Sequence, residues 1–142
     1  MARYNASFRS IETAVGPCFE IRATSSDKPR LLELHIQTVS SLASFTLGLG
    51  TPAVIGVNPT TSYRVIAEDD TDPLGTTIVA TGWTTAPTVP SAFFRRFVFR
   101  TAIAATVYVG FPRGLQIEQS GSRVLWIIGN GVLVDASVVV DE

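Results

Sequence analysis

The chain has a single cysteine, a single histidine and few charges, and each scarcity excludes something. With Cys18 alone, no intrachain disulfide can form, and its apolar neighbours Pro17, Phe19 and Ile21 mark it as a small buried hydrophobe rather than a reactive thiol. With His35 alone, a site needing two imidazoles cannot be assembled. Charged residues are 16% of the chain, well under the roughly 25% of an ordinary globular domain. That deficit implies outer surface not meant to face water. Acidic and basic residues balance at 12 and 11, so there is no field to gather polyanions and nucleic acid is not an expected partner. No apolar run approaches the roughly 18 residues of a membrane span, and no basic start with an apolar core marks a secretory signal, so a protein made in a cytoplasm and not inserted in a membrane is expected. No segment carries a convincing amphipathic helical period.

What is present instead is alternation. Leu32, Leu34 and Ile36 oppose Glu33, His35 and Gln37; Phe19, Ile21 and Ala23 oppose Cys18, Glu20 and Arg22; Ala43, Phe45, Leu47 and Leu49 oppose Ser44, Thr46, Gly48 and Gly50. A period of two is the mark of half-buried strands. The glycines of that last segment leave room for a close neighbour. Tyr63–Ala67 and Thr76–Trp83 read as a strand pair around the acidic turn Glu68–Pro73. Phe94–Arg100 and Ile103–Phe111 follow, with Pro112-Arg113-Gly114 reading as a chain reversal. Arg123–Ile128 and Val132–Val140 flank Gly129-Asn130-Gly131, and the asparagine-glycine pair predicts a hairpin. Turn signals every 8–12 residues predict an all-β, antiparallel β-sandwich or jelly roll of roughly eight to ten strands, one domain over residues 1–142.

Candidate chemistry is sparse. Glu33 and His35 share a strand face and read as a surface pair, since no nucleophile elbow accompanies them. Glu68, Asp69, Asp70 and Asp72 lack the spaced aspartates and central glycine of a calcium loop and read as a solvated turn. Gly48-Leu49-Gly50 is too short for a dinucleotide fingerprint. These readings lead to a non-enzymatic protein with no cofactor and no metal. Two segments stand out as interface candidates. Phe93, Phe94, Arg95 and Arg96 combine aromatics with arginine, the residues enriched in protein interfaces. Pro52, Val54, Ile55 and Val57 form a loop apolar enough to need a cover. Trp126 lies in an apolar run and is expected in the core, whereas Trp83, followed by threonines, is the better candidate platform for stacking a sugar ring, with Tyr108 as another.

Pro29-Arg30-Leu31, Leu47–Ala53, Ala86–Pro90 with Phe93–Arg96, Phe111–Leu115 and the closing Val138–Glu142 together resemble small β-rich virion proteins of tailed bacteriophages and prophages. The resemblance spans nearly the whole chain. It implies a structural component similar to capsid decoration, or cement, proteins: a symmetric homo-oligomer, with a trimer favoured, that clamps major capsid protein subunits from the capsid exterior after synthesis in the host cytoplasm. A tail, collar or baseplate component and a carbohydrate-binding adhesin domain are the alternatives.

Overall fold

The computed structural model describes residues 2–10, 15–40, 45–99, 106–129 and 133–142. These residues form eleven strands and no helix: β1 (Arg3–Arg9), β2 (Gly16–Arg22), β3 (Arg30–Ser40), β4 (Phe45–Gly50), β5 (Val57–Arg64), β6 (Ile66–Ala67), β7 (Ile78–Thr85), β8 (Phe93–Phe99), β9 (Thr106–Gln116), β10 (Ser122–Ile128) and β11 (Leu133–Asp141). They pair antiparallel into a five-stranded sheet, β6-β1-β11-β3-β9, and a six-stranded sheet, β5-β7-β2-β10-β4-β8. The all-β sandwich expected from alternation is therefore present, with slightly more strands than expected. The additional ones are β1, whose Tyr4, Ala6 and Phe8 alternate with exposed neighbours, and β6, because the strand expected over Tyr63–Ala67 divides into β5, which starts earlier at Val57, and β6 in the other sheet.

One hydrophobic cluster joins the sheets. From the five-stranded sheet it takes Tyr4, Phe8, Leu34, Ile36 and Val138, and from the six-stranded sheet Phe19, Ile21, Leu47, Leu125 and Ile127. Each large aliphatic or aromatic side chain taken fully out of water contributes about 1.5–3 kcal/mol. At the centre of the five-stranded sheet, β11 pairs along its length with β1 on one side and β3 on the other, so its valines are buried from both directions. Its end is tied in by Glu142, whose carboxylate accepts from the Thr76 and Thr77 amides at 2.8 and 2.7 Å.

Three local expectations are corrected by the tertiary arrangement. First, β10 and β11 are not a hairpin: β10 is flanked by β2 and β4, β11 by β1 and β3, so the connection crosses from one sheet to the other. Asn130 and Gly131 themselves lie outside the described residues, as do Ala43, Ser44, Arg100 and Ile103. Second, Pro112-Arg113-Gly114 does not reverse the chain. It forms a bulge within β9, in which Phe111 to Gly114 oppose Leu32 alone and Gly114 takes φ +66°. Because β9 is an edge strand, the proline costs the sheet no ladder bond. Third, Trp126 is half-buried and falls between the core residues Leu125 and Ile127, opposite Gly48, on the outer face of its sheet. Strict alternation overrides the apolar run. Tyr63 and Arg64 do pair with Val79 and Ile78, but Ile66 and Ala67 leave that sheet to pair with β1.

Leu34→Ala in the core should lower unfolding free energy by about 2–5 kcal/mol, whereas Val98→Ala, at a position 69% exposed, should stay within about 0.5 kcal/mol. Equal shifts in urea midpoint would contradict the assigned faces. Asp27 and Asp135 are among the carboxyls, with Asp69 and Glu118, that are held below their ordinary range. Asp27 is held below its usual range by hydroxyls of Thr76, Ser26 and Thr24, and Asp135 by the Arg9 guanidinium at 2.6 Å. A depressed folded-state pKa adds stability above the ordinary value near 4 and loses it as pH falls through the folded one. Urea midpoints should thus be level above about pH 5 and decline below about pH 4, with a shallower decline in Asp135→Asn.

Candidate functional site

The six-stranded sheet turns Thr46, Gly48 and Gly50 of β4 outward, since Leu47 and Leu49 face the core. Without side chains, Gly48 and Gly50 let other chain segments lie directly on the sheet. A Cβ on Gly48 would meet the Phe93 ring at 2.5 Å, and one on Gly50 would meet Pro90 at 2.7 Å and the Ala92 carbonyl at 2.8 Å. The 86–92 connector is thereby seated on β4, with Pro87 and Pro90 buried beneath it.

From Gly50 the chain must reach β5 at the far edge, four strand spacings or roughly 19 Å away. Seven residue steps reach at most about 25 Å, so the 51–56 loop crosses the sheet with little slack. It is fastened at two places. Val54 donates its amide to Thr88 Oγ1 at 2.9 Å and accepts from the Thr88 amide at 3.0 Å. Farther along, the Gly56 amide donates to both carboxylate oxygens of Glu20 at 3.2 and 3.3 Å.

Glu20 is the chemical centre of this face. It lies on β2 opposite Val124 and Ala80, is fully buried, and also accepts from Trp83 Nε1 at 2.9 Å and Ser122 Oγ at 2.6 Å. A carboxylate taken out of water must be met by donors, and these three groups meet it. Gly56 has to be glycine because a Cβ there would collide with the Trp83 ring. Alternation marked Glu20 only as one polar residue of a strand. A carboxylate embedded in Pro17-Cys18-Phe19-Glu20-Ile21 was the available signal.

The expected interface residues divide by exposure. Pro52 is buried and Ile55 half-buried as anchors of the loop, while Val54 and Val57 stand 58% and 47% exposed. Phe93 is half-buried over Gly48; Phe94, Arg95 and Arg96 are exposed, Phe94 to 48%. Strict alternation would set Phe93 on the face of Arg95 and Phe97. A register shift at Leu49/Gly50 instead pairs Phe93 with Gly50 and moves its ring to the outer face. Phe97 and Phe99 pack inward, Phe99 stacked on Phe45 at 4.7 Å. Loop and strand meet through Arg123, which donates to Thr51 Oγ1 at 2.9 Å and to the Gln116 carbonyl at 2.6 Å and lies 5.5 Å over the Phe94 ring. Partial burial pulls the Arg123 guanidinium below its usual pKa, with Glu118 opposing the shift. Nothing in the local sequence singles out Arg123.

The other sequence candidates have structural surroundings. Trp83 is half-buried, with its N–H committed to Glu20 and Gly56 lying against the same edge of its ring. Cys18 is fully buried, and burial pushes its thiol up to about 12, leaving essentially no thiolate at neutral pH. His35 sits 3.4 Å from Glu33, whose other oxygen accepts from Arg3 at 2.9 Å. In the acidic turn, Asp69 accepts from the Thr71 amide and hydroxyl at 2.9 and 2.8 Å, and Glu68 lies 3.6 Å from Arg3. Among the described residues no three His, Cys, Asp or Glu side chains converge on a metal position, and no helix is long and apolar enough to cross a membrane. No protein-family model, curated protein or solved structure matches the chain.

Glu20→Ala strands the buried donors of Trp83, Ser122 and Gly56, at about 1–3 kcal/mol for each group left unpaired. In a Trp126→Phe background, which isolates Trp83, the substitution should lower the urea midpoint and shift Trp83 emission to the red. Unchanged stability and emission would mean that Glu20 does not hold the loop.

Proposed function

We propose that this chain is a non-enzymatic structural protein of a tailed-bacteriophage virion, a decoration protein that self-associates symmetrically and clamps major capsid subunits from the capsid exterior. The observation that supports this reading is the character of the two edges of the six-stranded sheet. β8 ends the sheet on one side and carries exposed Phe94, Arg95, Arg96 and Val98; β5 ends it on the other, next to exposed Val54 and Val57. An edge strand with exposed apolar groups is a template for pairing unless it is blunted or covered.

Two unlike patches on opposite edges suit a head-to-tail contact, in which the β8 edge of one copy meets the β5 edge of the next. Such a heterologous contact does not make a two-fold dimer; where its rotation closes it makes a ring, of which the smallest is a trimer. The anchored loop and connector would present both patches rigidly, lowering the ordering cost of association. A ring that touches several capsid subunits at once would gain avidity through effective concentration even if each contact were weak.

Light scattering behind a sizing column should give a mass three times the 15.2 kDa of the chain. Replacing Phe94 and Arg96 together with serine should convert that species to monomer while far-ultraviolet circular dichroism stays unchanged. A wild-type monomer across a wide concentration range would overturn the ring, and an unaltered oligomer in the double variant would exclude the β8 edge.

A further inference from the structure

The outer face of the five-stranded sheet has chemistry that the assembly reading does not use. Register places Ser7 beside Ser137, Ser137 beside His35 and His35 beside Tyr108, one row across four strands. The next row is Arg9, Asp135, Gln37 and Thr106. Both rows face outward, since Phe8, Ala136 and Ile36 between them belong to the core. At the sheet's strand spacing the row spans roughly 14 Å, with the second row about 7 Å away. The small Ser7 and Ser137 make a floor between taller neighbours, and a depression of about 520 Å³ lies over them, lined also by His35, Gln37, Thr106 and Asp135. That volume falls within the range of small-molecule sites.

Tyr108 lies one strand beyond His35, outside the lining of this depression, and borders a second one of about 300 Å³ that includes Arg3, Glu33 and Gly110. Its ring is 59% exposed, meets the edge of His35 at 4.7 Å and passes close to Gly110, where a Cβ would lie 3.4 Å from the phenol oxygen. The charges on this face are already matched. Arg9 holds Asp135 through two bonds of 2.6 and 2.7 Å, and Arg3 holds Glu33 at 2.9 Å. His35 Nε2 also lies 3.4 Å from Glu33, so the groups over the depression are chiefly the hydroxyls and amide of Ser7, Ser137, Thr106 and Gln37, able both to donate and to accept, with the exposed Tyr108 ring beyond His35.

We propose that this face binds a neutral saccharide, with the Tyr108 ring as stacking platform and Ser7, Ser137, His35 and Gln37 as its hydrogen-bonding floor. A pyranose has an apolar face of C–H groups and a rim of hydroxyls that donate and accept. A floor of mixed donors and acceptors whose one carboxylate, Asp135, is already held by Arg9 matches the hydroxyl rim, and the Tyr108 ring beyond His35 matches the C–H face, whereas an ionic ligand would have to break the Arg9–Asp135 or Arg3–Glu33 pair. The site lies on the sheet opposite to β8 and β5, so it stands whether or not the ring forms. It also moves sugar stacking away from Trp83, whose N–H is engaged by Glu20.

The test is amide and side-chain NMR of the full chain titrated separately with cellohexaose, maltohexaose, chitohexaose and a β-1,4-galactan oligosaccharide. Saturable shifts with at least one of the four are expected, clustered on Ser7, His35, Tyr108 and Ser137. Tyr108→Ala and, independently, His35→Ala should each weaken that binding at least tenfold with the remaining spectrum native-like, while Trp83→Phe should leave it unchanged. The absence of saturable shifts with all four sugars, shifts centred elsewhere, or full binding in Tyr108→Ala would each overturn the assignment.

Discussion

Burial of alternate side chains between two sheets is the constraint from which the other features of this protein follow. Phe19, Ile21, Leu125 and Ile127 on one side and Leu34, Ile36 and Val138 on the other exclude water only if each strand keeps its register, because a slip of one residue would turn every side chain to the wrong face. Once the inner faces are committed, the outer faces are committed as well. Glu20 must point out of the core on β2, Gly48 and Gly50 must point out on β4, and Ser7, Ser137, His35 and Tyr108 must line up across the other sheet.

The two outer faces solve the same problem differently. On the six-stranded sheet the central strands are covered by the protein's own chain: the 51–56 loop is drawn across to Glu20, and the 86–92 connector rests on two glycines. This cover holds a carboxylate away from water, which is tolerable only because Trp83, Ser122 and Gly56 are fixed in place to donate. Among the described residues the five-stranded sheet leaves its outer face open, with charges paired off and small residues in the middle. One face has become a rigid support with Phe94 and Val98 exposed at one edge and Val57 at the other; the other is a polar shelf with the exposed Tyr108 ring beside it.

The edges follow from the same economy. Sheets that do not close into a barrel expose unpaired strands, and here the ends of the six-stranded sheet are β8, rich in phenylalanine and arginine, and β5, rich in threonine. Bulges adjust both the sheets and their surfaces. The shift at Leu49/Gly50 brings Phe93 over Gly48, and the longer bulge in β9 lets Pro112 sit in an edge strand without breaking the pairing that continues at Leu115.

Local pattern was enough to establish strands, their inward faces and the class of fold. Leu34 and Ile36, Phe19 and Ile21, and Leu47 and Leu49 are buried as their period of two implies, and the glycines between the leucines of β4 do admit close neighbours. The same period runs through Tyr4, Ala6 and Phe8 of β1, yet no strand was expected there, alanine being a weak marker of a buried position. What the sequence alone could not settle was which strands become neighbours. Arg123–Ile128 and the final strand flank an asparagine-glycine pair and yet belong to different sheets, because β2 and β4 occupy the edges of β10 while β1 and β3 occupy those of β11. The convergence of Glu20, Gly56, Trp83 and Ser122, the link made by Arg123, and the row from Ser7 to Tyr108 all join residues far apart in the chain. Alternation is a property of neighbouring residues and can be read along the chain. Pairing between distant segments is decided only when the whole core closes, and the features that bear on function here were made by that pairing.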